Sequence, residues 1–253
     1  MHEPFITAKM LVERAKQQIA DLREKINTFS DGRTWTHLVE KDVDGVTDIH
    51  KVRFPPNPSR EWTHIVFEAV NNLRSALDQI AFNVAILVGK PNAKAAKFPF
   101  GPTEADMLNN LAGGCKDLPP EIRAVFRGFD PYKGGNNVLW ALNELVNTNK
   151  HKLLIPVAMT STRIQIPDAM NANAFASNVG TYDASKNEMT LLKVAVGGQH
   201  LKYNMEITPT IAIDHTEDII RGQHPITLLD AMANEIERVG MATEAECRRL
   251  GLL

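Results

Sequence analysis

The side chains best suited to chemistry lie along one segment in which polar residues recur every three or four positions. Residues at this spacing share one face of a helix and can hydrogen-bond to each other. Arg74 also precedes Asp78 by four residues, the spacing of an intrahelical ion pair. The polar face consists of His64, Glu68, Asn71, Asn72, Ser75 and Asp78.

A second polar face follows about seventy residues later. Asn143, Asn147 and His151 repeat every four residues, and Lys150 is adjacent to the last of them. If the two faces meet, their buried groups must pair with each other or bind a ligand, because an unpaired buried polar group costs roughly 1–3 kcal/mol. We expect the two faces to lie against each other.

Three interpretations of these faces remain open. In the first, Arg74 and Asp78 form an intrahelical ion pair, the asparagines bridge helices, and Lys150 and His151 end a helix whose dipole favours cations. In the second, Arg74 and Lys150 bind a phosphate or carboxylate and His151 transfers protons near neutral pH. The second gives catalytic candidates Arg74, Asp78 and His151 and binding candidates Asn71, Asn147 and Lys150.

The third interpretation is a metal-dependent hydrolase. His64 and Glu68 have the spacing of two metal ligands on one helical turn, and Asp78 or His151 would complete the site. The sequence has no glycine-rich phosphate loop, dinucleotide fingerprint, nucleophile elbow or His-Glu-x-x-His motif. It therefore predicts no cofactor and assigns no metal.

The elements that must position these residues are predominantly helical in the first part of the chain. Apolar residues recur three or four apart over residues 7–29, which predicts an amphipathic helix. A longer helix is predicted over residues 57–88, where Asn57 would cap it and Pro58 would occupy its first turn. Shorter helices are predicted over residues 103–111, from Pro119 or Pro120 to Gly128, and from Asn136 or Asn137 toward His151.

A β-hairpin is predicted between the first two helices. Alternating residues flank Asp44-Gly45, a dipeptide typical of two-residue hairpin turns. This register places Val39 opposite His50 and His37 opposite Val52. The two histidines would share an otherwise apolar face, and we interpret them as packed residues at the edge of the core.

The later part of the chain changes to β-like segments at residues 155–166, 176–182, 188–196 and 200–213, interpreted as an antiparallel meander. A helix is predicted from Pro225, and Thr243 with Glu246 has the pattern of a capping box for a further terminal turn. The predicted fold class is α+β: a helical bundle around a long central helix, with a β-hairpin and a C-terminal antiparallel sheet. We expect one compact domain over residues 1–253, with a helix-rich part at 1–154 that includes the hairpin at 33–54, a β-rich part at 155–221 and C-terminal helices at 225–250.

The composition excludes few classes of binding partner. The chain has 253 residues, a net charge of −2 and 43% hydrophobic residues, so any contact with a polyanion must come from a local patch. Cys115 and Cys247 are far apart and are interpreted as reduced thiols. No apolar segment is long enough to span a membrane and no signal peptide is apparent, so we expect a cytoplasmic protein.

The middle of the chain, about residues 57–156, resembles a group of uncharacterised bacterial and phage-borne proteins. The resemblance is carried by NLRSALDQ at residues 72–79, FPF at 98–100, LNEL at 142–145 and NKHK at 149–152. It implies a prophage or accessory-genome protein and names no activity. Arg74 also resembles the arginine of the Arg-x4-6-His signature of HEPN domains, although Gln79 occupies the histidine position. That resemblance implies RNA binding or RNA cleavage, with His151 supplying the imidazole.

The first functional hypothesis is therefore a binding protein without an assigned activity, which could form a homo-oligomer through its N-terminal helix. The second is a HEPN-like RNA-binding protein or ribonuclease using Arg74, Asp78, Asn147, Lys150 and His151. The third is the metal-dependent hydrolase. The expected partners are RNA or a small anionic ligand.

Overall fold

The computed structural model describes residues 4–31, 36–53, 60–90, 93–149, 155–165, 175–183, 185–186, 188–195 and 204–253. Its contacts divide the chain into two compact units. The helical unit comprises Met1–Arg23, Trp62–Ile155 and Ile213–Leu253, and the sheet unit comprises Glu24–Glu61 and Pro156–Ala212. The expectation of a single domain stays a prediction.

Helix α1, Ile6–Asp31, has buried apolar residues at a seven-residue repeat. Such a repeat forms a narrow stripe along one side of a helix, the pattern of helix pairs that pack nearly parallel or antiparallel. Within the helical unit, the stripe is formed by Phe5, just before the helix, with Ala8, Val12, Ala15, Ile19 and Leu22.

Three ion pairs join α1 to the last helix, α6, Pro225–Arg249. Lys9 pairs with Glu244 at 3.3 Å, Lys16 with Glu237 at 2.5 Å, and Arg23 with Asp230 at 2.6 Å. The partners rise by seven residues on α1 and fall by seven on α6, so the two helices run antiparallel in one register. In this charge ladder, α1 supplies every cation and α6 every anion.

The predicted long helix is α2, Arg60–Leu87. Its apolar stripe is almost completely buried, and a Gly89 residue in the left-handed conformation follows its end. The predicted cap at Asn57 lies outside the described residues. The fully buried residues of α2 include Ala69, Val70, Leu73, Ala76, Leu77, Ala81 and Val84.

The three shorter helices form close to where the sequence predicted them. They are α3, Glu104–Gly114, α4, Pro120–Arg127, and α5, Asn137–Asn149. Thr103 caps α3 by accepting a hydrogen bond from the Asp106 N–H at 3.2 Å. Asn136 caps α5 by accepting from the N–H groups of Val138 and Leu139, each at 3.1 Å. Helices α4 and α5 both contact α6.

The predicted capping box near the end of the chain is wrong. Helix α6 continues through Thr243 without a break. Thr243 is completely buried, and its hydroxyl donates to the carbonyl oxygen of Val239 at 2.7 Å. Threonine can satisfy its hydroxyl in this way inside a helix, so its presence with Glu246 did not require a new helix start.

The sheet unit begins with the predicted hairpin of β1, Thr36–Lys41, and β2, Thr47–Arg53. The predicted pairing of Val39 with His50 and of His37 with Val52 is confirmed. The turn, however, has four residues rather than two, because Asp42 also pairs with Thr47 and only Gly45 has a positive φ, at 71°. The Asp44 carboxylate stabilises this longer turn by accepting from the N–H groups of Val46 and Thr47 at 2.9 and 2.8 Å.

The later strands are β3, Ile155–Gln165, β4, Phe175–Asp183, β5, Glu188–Ala195, and β6, Asn204–Asp214. They do not form the predicted meander. Strand β5 lies between β2 and β4 in a four-stranded sheet of order β1-β2-β5-β4, whereas β3 pairs with β6 in a separate two-stranded sheet. Local patterns predicted each strand, but the choice of a distant partner depends on contacts that no local pattern contains.

The predicted α+β fold class is confirmed, with helices in the majority. The hairpin and two later strands share one antiparallel sheet rather than forming separate structures. Among the helices of the described ranges, none combines the length and the apolar character needed to cross a bilayer.

Candidate functional site

The Arg74 and Asp78 side chains form the predicted ion pair on α2. Arg74 Nη1 lies 2.6 Å from Asp78 Oδ1, and the two side chains are 18% and 33% exposed. The contact is electrostatic, because this buried nitrogen does not have hydrogen-bond geometry toward the carboxylate. Asp78 Oδ1 also accepts a hydrogen bond from the backbone N–H of Phe98 at 3.0 Å.

The segment with the sequence FPF packs against this pair. The Arg74 guanidinium lies over the Phe100 ring, with Cζ 4.5 Å from the ring centroid, which is a cation–π contact. Phe98 contacts Phe100 and Phe126 with ring centroids 5.2 and 5.0 Å apart. Asn110 donates to the Phe100 carbonyl at 2.6 Å. Arg74 and Asp78 therefore hold the loop after α2 against the helix.

Other polar residues of α2 connect it to α1. Gln18 of α1 is buried and uses both ends of its amide. Its Nε2 donates to Glu68 at 2.7 Å, and its Oε1 accepts from Asn72 Nδ2 at 2.9 Å. Each end of the buried amide therefore has one hydrogen-bond partner on α2, so these three residues stabilise the α1–α2 packing.

The predicted binding residues Asn71 and Asn147 each bond within their own helix. Asn71 donates to the Phe67 carbonyl at 2.8 Å. Asn147 is exposed and hydrogen-bonds to Glu144, whose pKa is raised by burial and by the nearby Glu217. In the part of the chain that the structure describes, no hydrogen bond joins the polar face of α2 to the polar face of α5. Lys150 and His151 lie outside the described residues, so the predicted meeting of the two faces stays a prediction.

The metal interpretation has no additional support from the geometry. Glu68 is engaged with Gln18 and Asp78 with Arg74, while His64 is exposed. Over the described ranges, no three or more His, Cys, Asp or Glu side chains converge in a way that could hold a metal ion. Cys115 is buried and donates to the Lys97 carbonyl, and burial raises its pKa to about 12. Such a thiol is a weak nucleophile.

The helical unit contains a cleft that the polar motifs do not indicate. It lies where the start of α1 and the second half of α6 approach α2, and its volume is about 500 Å³. Small-molecule sites in proteins span roughly 300–1,000 Å³. Its wall is mostly apolar and is formed by Phe5, Ala8, Val12, Ile80, Ile236 and Met241.

Two small residues line the cleft. They are Ala8 of α1 and Gly240 of α6, and neither has a side chain large enough to fill it. A Cβ atom added at Gly240 would meet Ile80 Cδ1 at 3.6 Å, an ordinary van der Waals distance. Close packing therefore does not require glycine here, although glycine inside a helix costs about 1 kcal/mol relative to alanine.

Charged residues surround the opening of the cleft. Lys9, Glu13, Glu237 and Glu244 line it, and the first and last of these are paired in the charge ladder. Met241 is also at the opening and is 63% exposed. The cleft therefore has an apolar interior and a charged edge that solvent reaches.

Comparison with known proteins gives no external guide to this site. No protein family, curated protein or solved structure matches the chain. The interpretation of the cleft and of the Arg74 cluster, which consists of Arg74, Asp78, Phe98 and Phe100, therefore depends on their geometry alone.

Sequence reasoning missed the cleft because its lining comes from three helices that are distant in the chain. One signal was present in the sequence. Gly240 interrupts a helical pattern at an inward-facing position, where alanine or leucine would be expected. A glycine inside a predicted helix, where no turn requires it, could have indicated an unfilled space next to the helix.

Proposed function

We propose that this protein is a non-catalytic binding protein that holds a small apolar molecule in the cleft between α1, α2 and α6. The observation that carries the proposal is the cleft itself, which has a mostly apolar wall and a volume of about 500 Å³. Gly240 lines it with no side chain, so a large residue at this position would enter the space, whereas alanine would meet Ile80 at an ordinary distance. The prophage-type origin and the cytoplasmic location stay predictions.

The state of the Arg74 cluster supports a binding role over catalysis. Arg74 is engaged by Asp78 and by the Phe100 ring, and Asp78 is engaged by the Phe98 N–H. These contacts engage the Asp78 carboxylate and one face of the Arg74 guanidinium within the fold itself. The HEPN-like ribonuclease remains an alternative, and the metal-dependent hydrolase is a weaker one.

The size of the cleft limits the ligand. At about 30 Å³ for each water-sized group, the volume of about 500 Å³ accommodates roughly 15–20 non-hydrogen atoms. An apolar molecule of this size would replace water at the walls formed by Phe5, Ile80 and Ile236. The hydrophobic effect would then provide most of its binding free energy.

The proposal is tested by titrating the protein with N-phenyl-1-naphthylamine, an uncharged dye whose fluorescence rises in apolar surroundings. We expect saturable binding to the native protein, retained in Gly240→Ala and lost in Gly240→Leu, whose larger side chain fills the cleft. Ala8→Met blocks the cleft from the opposite wall and should have the same effect as Gly240→Leu. Circular dichroism establishes that each variant is folded.

Two outcomes would overturn the proposal. One is the absence of saturable dye binding to the native protein. The other is unchanged binding in whichever of Gly240→Leu and Ala8→Met is folded, because the dye would then occupy another surface.

A further inference from the structure

The charged edge of the cleft indicates which charge the ligand has, a property that the apolar wall does not determine. Three carboxylates line the cleft, on Glu13, Glu237 and Glu244, against one ammonium group, on Lys9. Two of those carboxylates are closely neutralised. Glu244 lies 3.3 Å from Lys9 and 2.6 Å from Arg248, and Glu237 lies 2.5 Å from Lys16.

Glu13 is different from the other two. The nearest cation to it among the described residues is Lys16, whose Nζ lies 4.0 Å from the Glu13 carboxylate and only 2.5 Å from that of Glu237. Lys16 is therefore engaged mainly by Glu237. The Glu13 side chain is 66% exposed, so it faces water at the edge of the cleft and is accessible to a ligand.

We infer that the ligand is an amphipathic amine, with an apolar body in the cleft and an ammonium group beside Glu13. This inference depends on the proposed function, because it concerns the same cleft. An ammonium group at that position would gain an ion pair without displacing Lys9, Lys16 or Arg248 from its partner. A carboxylate ligand would lie beside three glutamates and would compete with Glu244 for Lys9.

The energy of this ion pair is small because the site is exposed. An exposed pair contributes up to about 1 kcal/mol, which corresponds to about a fivefold change in affinity. The interaction should also weaken as salt is added, because screening is strong at exposed sites. The apolar body therefore determines most of the affinity, and the ammonium group determines the preference among ligands of similar size.

The test uses three probes with the same tail and different charge: decylamine, decanol and decanoate. Each displaces N-phenyl-1-naphthylamine from the native protein, from Glu13→Gln and from Asp21→Asn. Asp21 is an exposed acidic residue of α1 that does not line the cleft, so its variant controls for the loss of one negative charge on the same helix.

We expect Glu13→Gln to weaken decylamine binding about fivefold at low salt and to leave decanol binding unchanged. Asp21→Asn should change neither. The inference is overturned if decanoate binds more tightly than decylamine, or if Glu13→Gln leaves the ratio of decylamine to decanol affinity unchanged. Binding of decanol without any preference for the amine would contradict this inference alone. The failure of all three probes would contradict the proposed function as well.

Discussion

Arg74 shows how a residue that suggests chemistry can serve the fold. The sequence indicated the Arg74–Asp78 pair, and the spacing of four residues was sufficient to predict it. It could not indicate that the guanidinium lies over Phe100 or that Asp78 accepts from the Phe98 N–H. Those contacts join residues 20 and 26 positions apart, through a loop whose path depends on the surrounding helices.

At this position we expect Arg74→Ala to lower the free energy of unfolding by about 1–2 kcal/mol, because the cation–π contact and a partly buried ion pair are lost. Urea unfolding measures the change. Arg127→Ala is the matched control, since Arg127 is 60% exposed and its nearest carboxylate is 3.9 Å away. A stable Arg74→Ala variant that no longer cleaves RNA which the native protein cleaves would instead support the HEPN-like alternative.

His50 gives the protein a specific response to acid. The histidine is completely buried, and its Nδ1 lies 2.9 Å from Nε2 of His37. Burial, with a smaller contribution from His37, lowers the pKa of His50 from 6.5 to about 4. The predicted packing of two histidines on one face of the hairpin is confirmed, with the two rings stacked 5.1 Å apart.

The stability of the hairpin should therefore fall as the pH falls. Between pH 6.5 and about 4 the unfolded chain binds a proton at His50 that the folded chain does not, so acid favours unfolding in this window. The loss is at most about 3.5 kcal/mol, at about 1.4 kcal/mol for each pKa unit. Hydrogen exchange of a peptide covering Thr47–Arg53 measures it, and His50→Leu should remove most of the pH dependence. A native profile that stays flat through this window would contradict the assignment.

At the scale of elements, local patterns predicted where helices and strands form but not how they pair. The bounds of α1, α3 and α4 lie within three residues of the prediction because caps and glycines mark them. The predicted hairpin register was also correct. The observed turn is longer than the predicted one by one residue on each side, and such a symmetric change keeps the same residues opposite each other. The pairing of β5 with β2 was not predictable, because it joins segments more than one hundred residues apart.

Gly240 allows a direct test of the packing in α6. We expect Gly240→Ala to raise the free energy of unfolding by about 1 kcal/mol, because alanine favours the helix and its Cβ meets Ile80 at an ordinary distance. Thermal or urea unfolding measures the gain. Destabilisation by alanine would mean that the helices are closer than the structure places them.

The charge ladder predicts a coupling between α1 and α6. The side chains of Lys16 and Glu237 are 38% and 36% exposed, so solvent and salt screen their attraction. We expect a double-mutant cycle with Lys16→Ala and Glu237→Ala to give a coupling of about 0.5 kcal/mol at low salt. The coupling should decrease at high salt. Lys16→Glu combined with Glu237→Lys should recover stability that Lys16→Glu alone loses, and the absence of recovery would contradict the antiparallel register.

For the whole molecule, neither compact unit is one continuous segment of chain. The helical unit needs α6 from the end of the sequence to complete the core begun by α1 and α2. Leu229, Met232 and Ile236 of α6 are completely buried. A helical core built from residues 1–154 alone would therefore lack the side that α6 covers.

A fragment of residues 1–154 should not fold cooperatively. Without α6 it would expose the surfaces of α4 and α5 that contact this helix in the complete chain. Circular dichroism during heating should show a broad transition for the fragment and a cooperative one for the full chain. A sharp transition in the fragment would show that α6 is an addition to an already complete core.

Because the two helices of the charge ladder lie near opposite ends of the sequence, α1 is synthesised well before α6. The paired residues of the ladder are separated by 207 to 235 positions in the chain. At about 5–20 residues per second, the ribosome would need roughly 10–50 s to deliver the second partner after the first. During that interval the apolar stripe of α1 has no α6 to cover it. The nascent chain is then a candidate substrate for a chaperone that shields exposed helices until synthesis has passed residue 244.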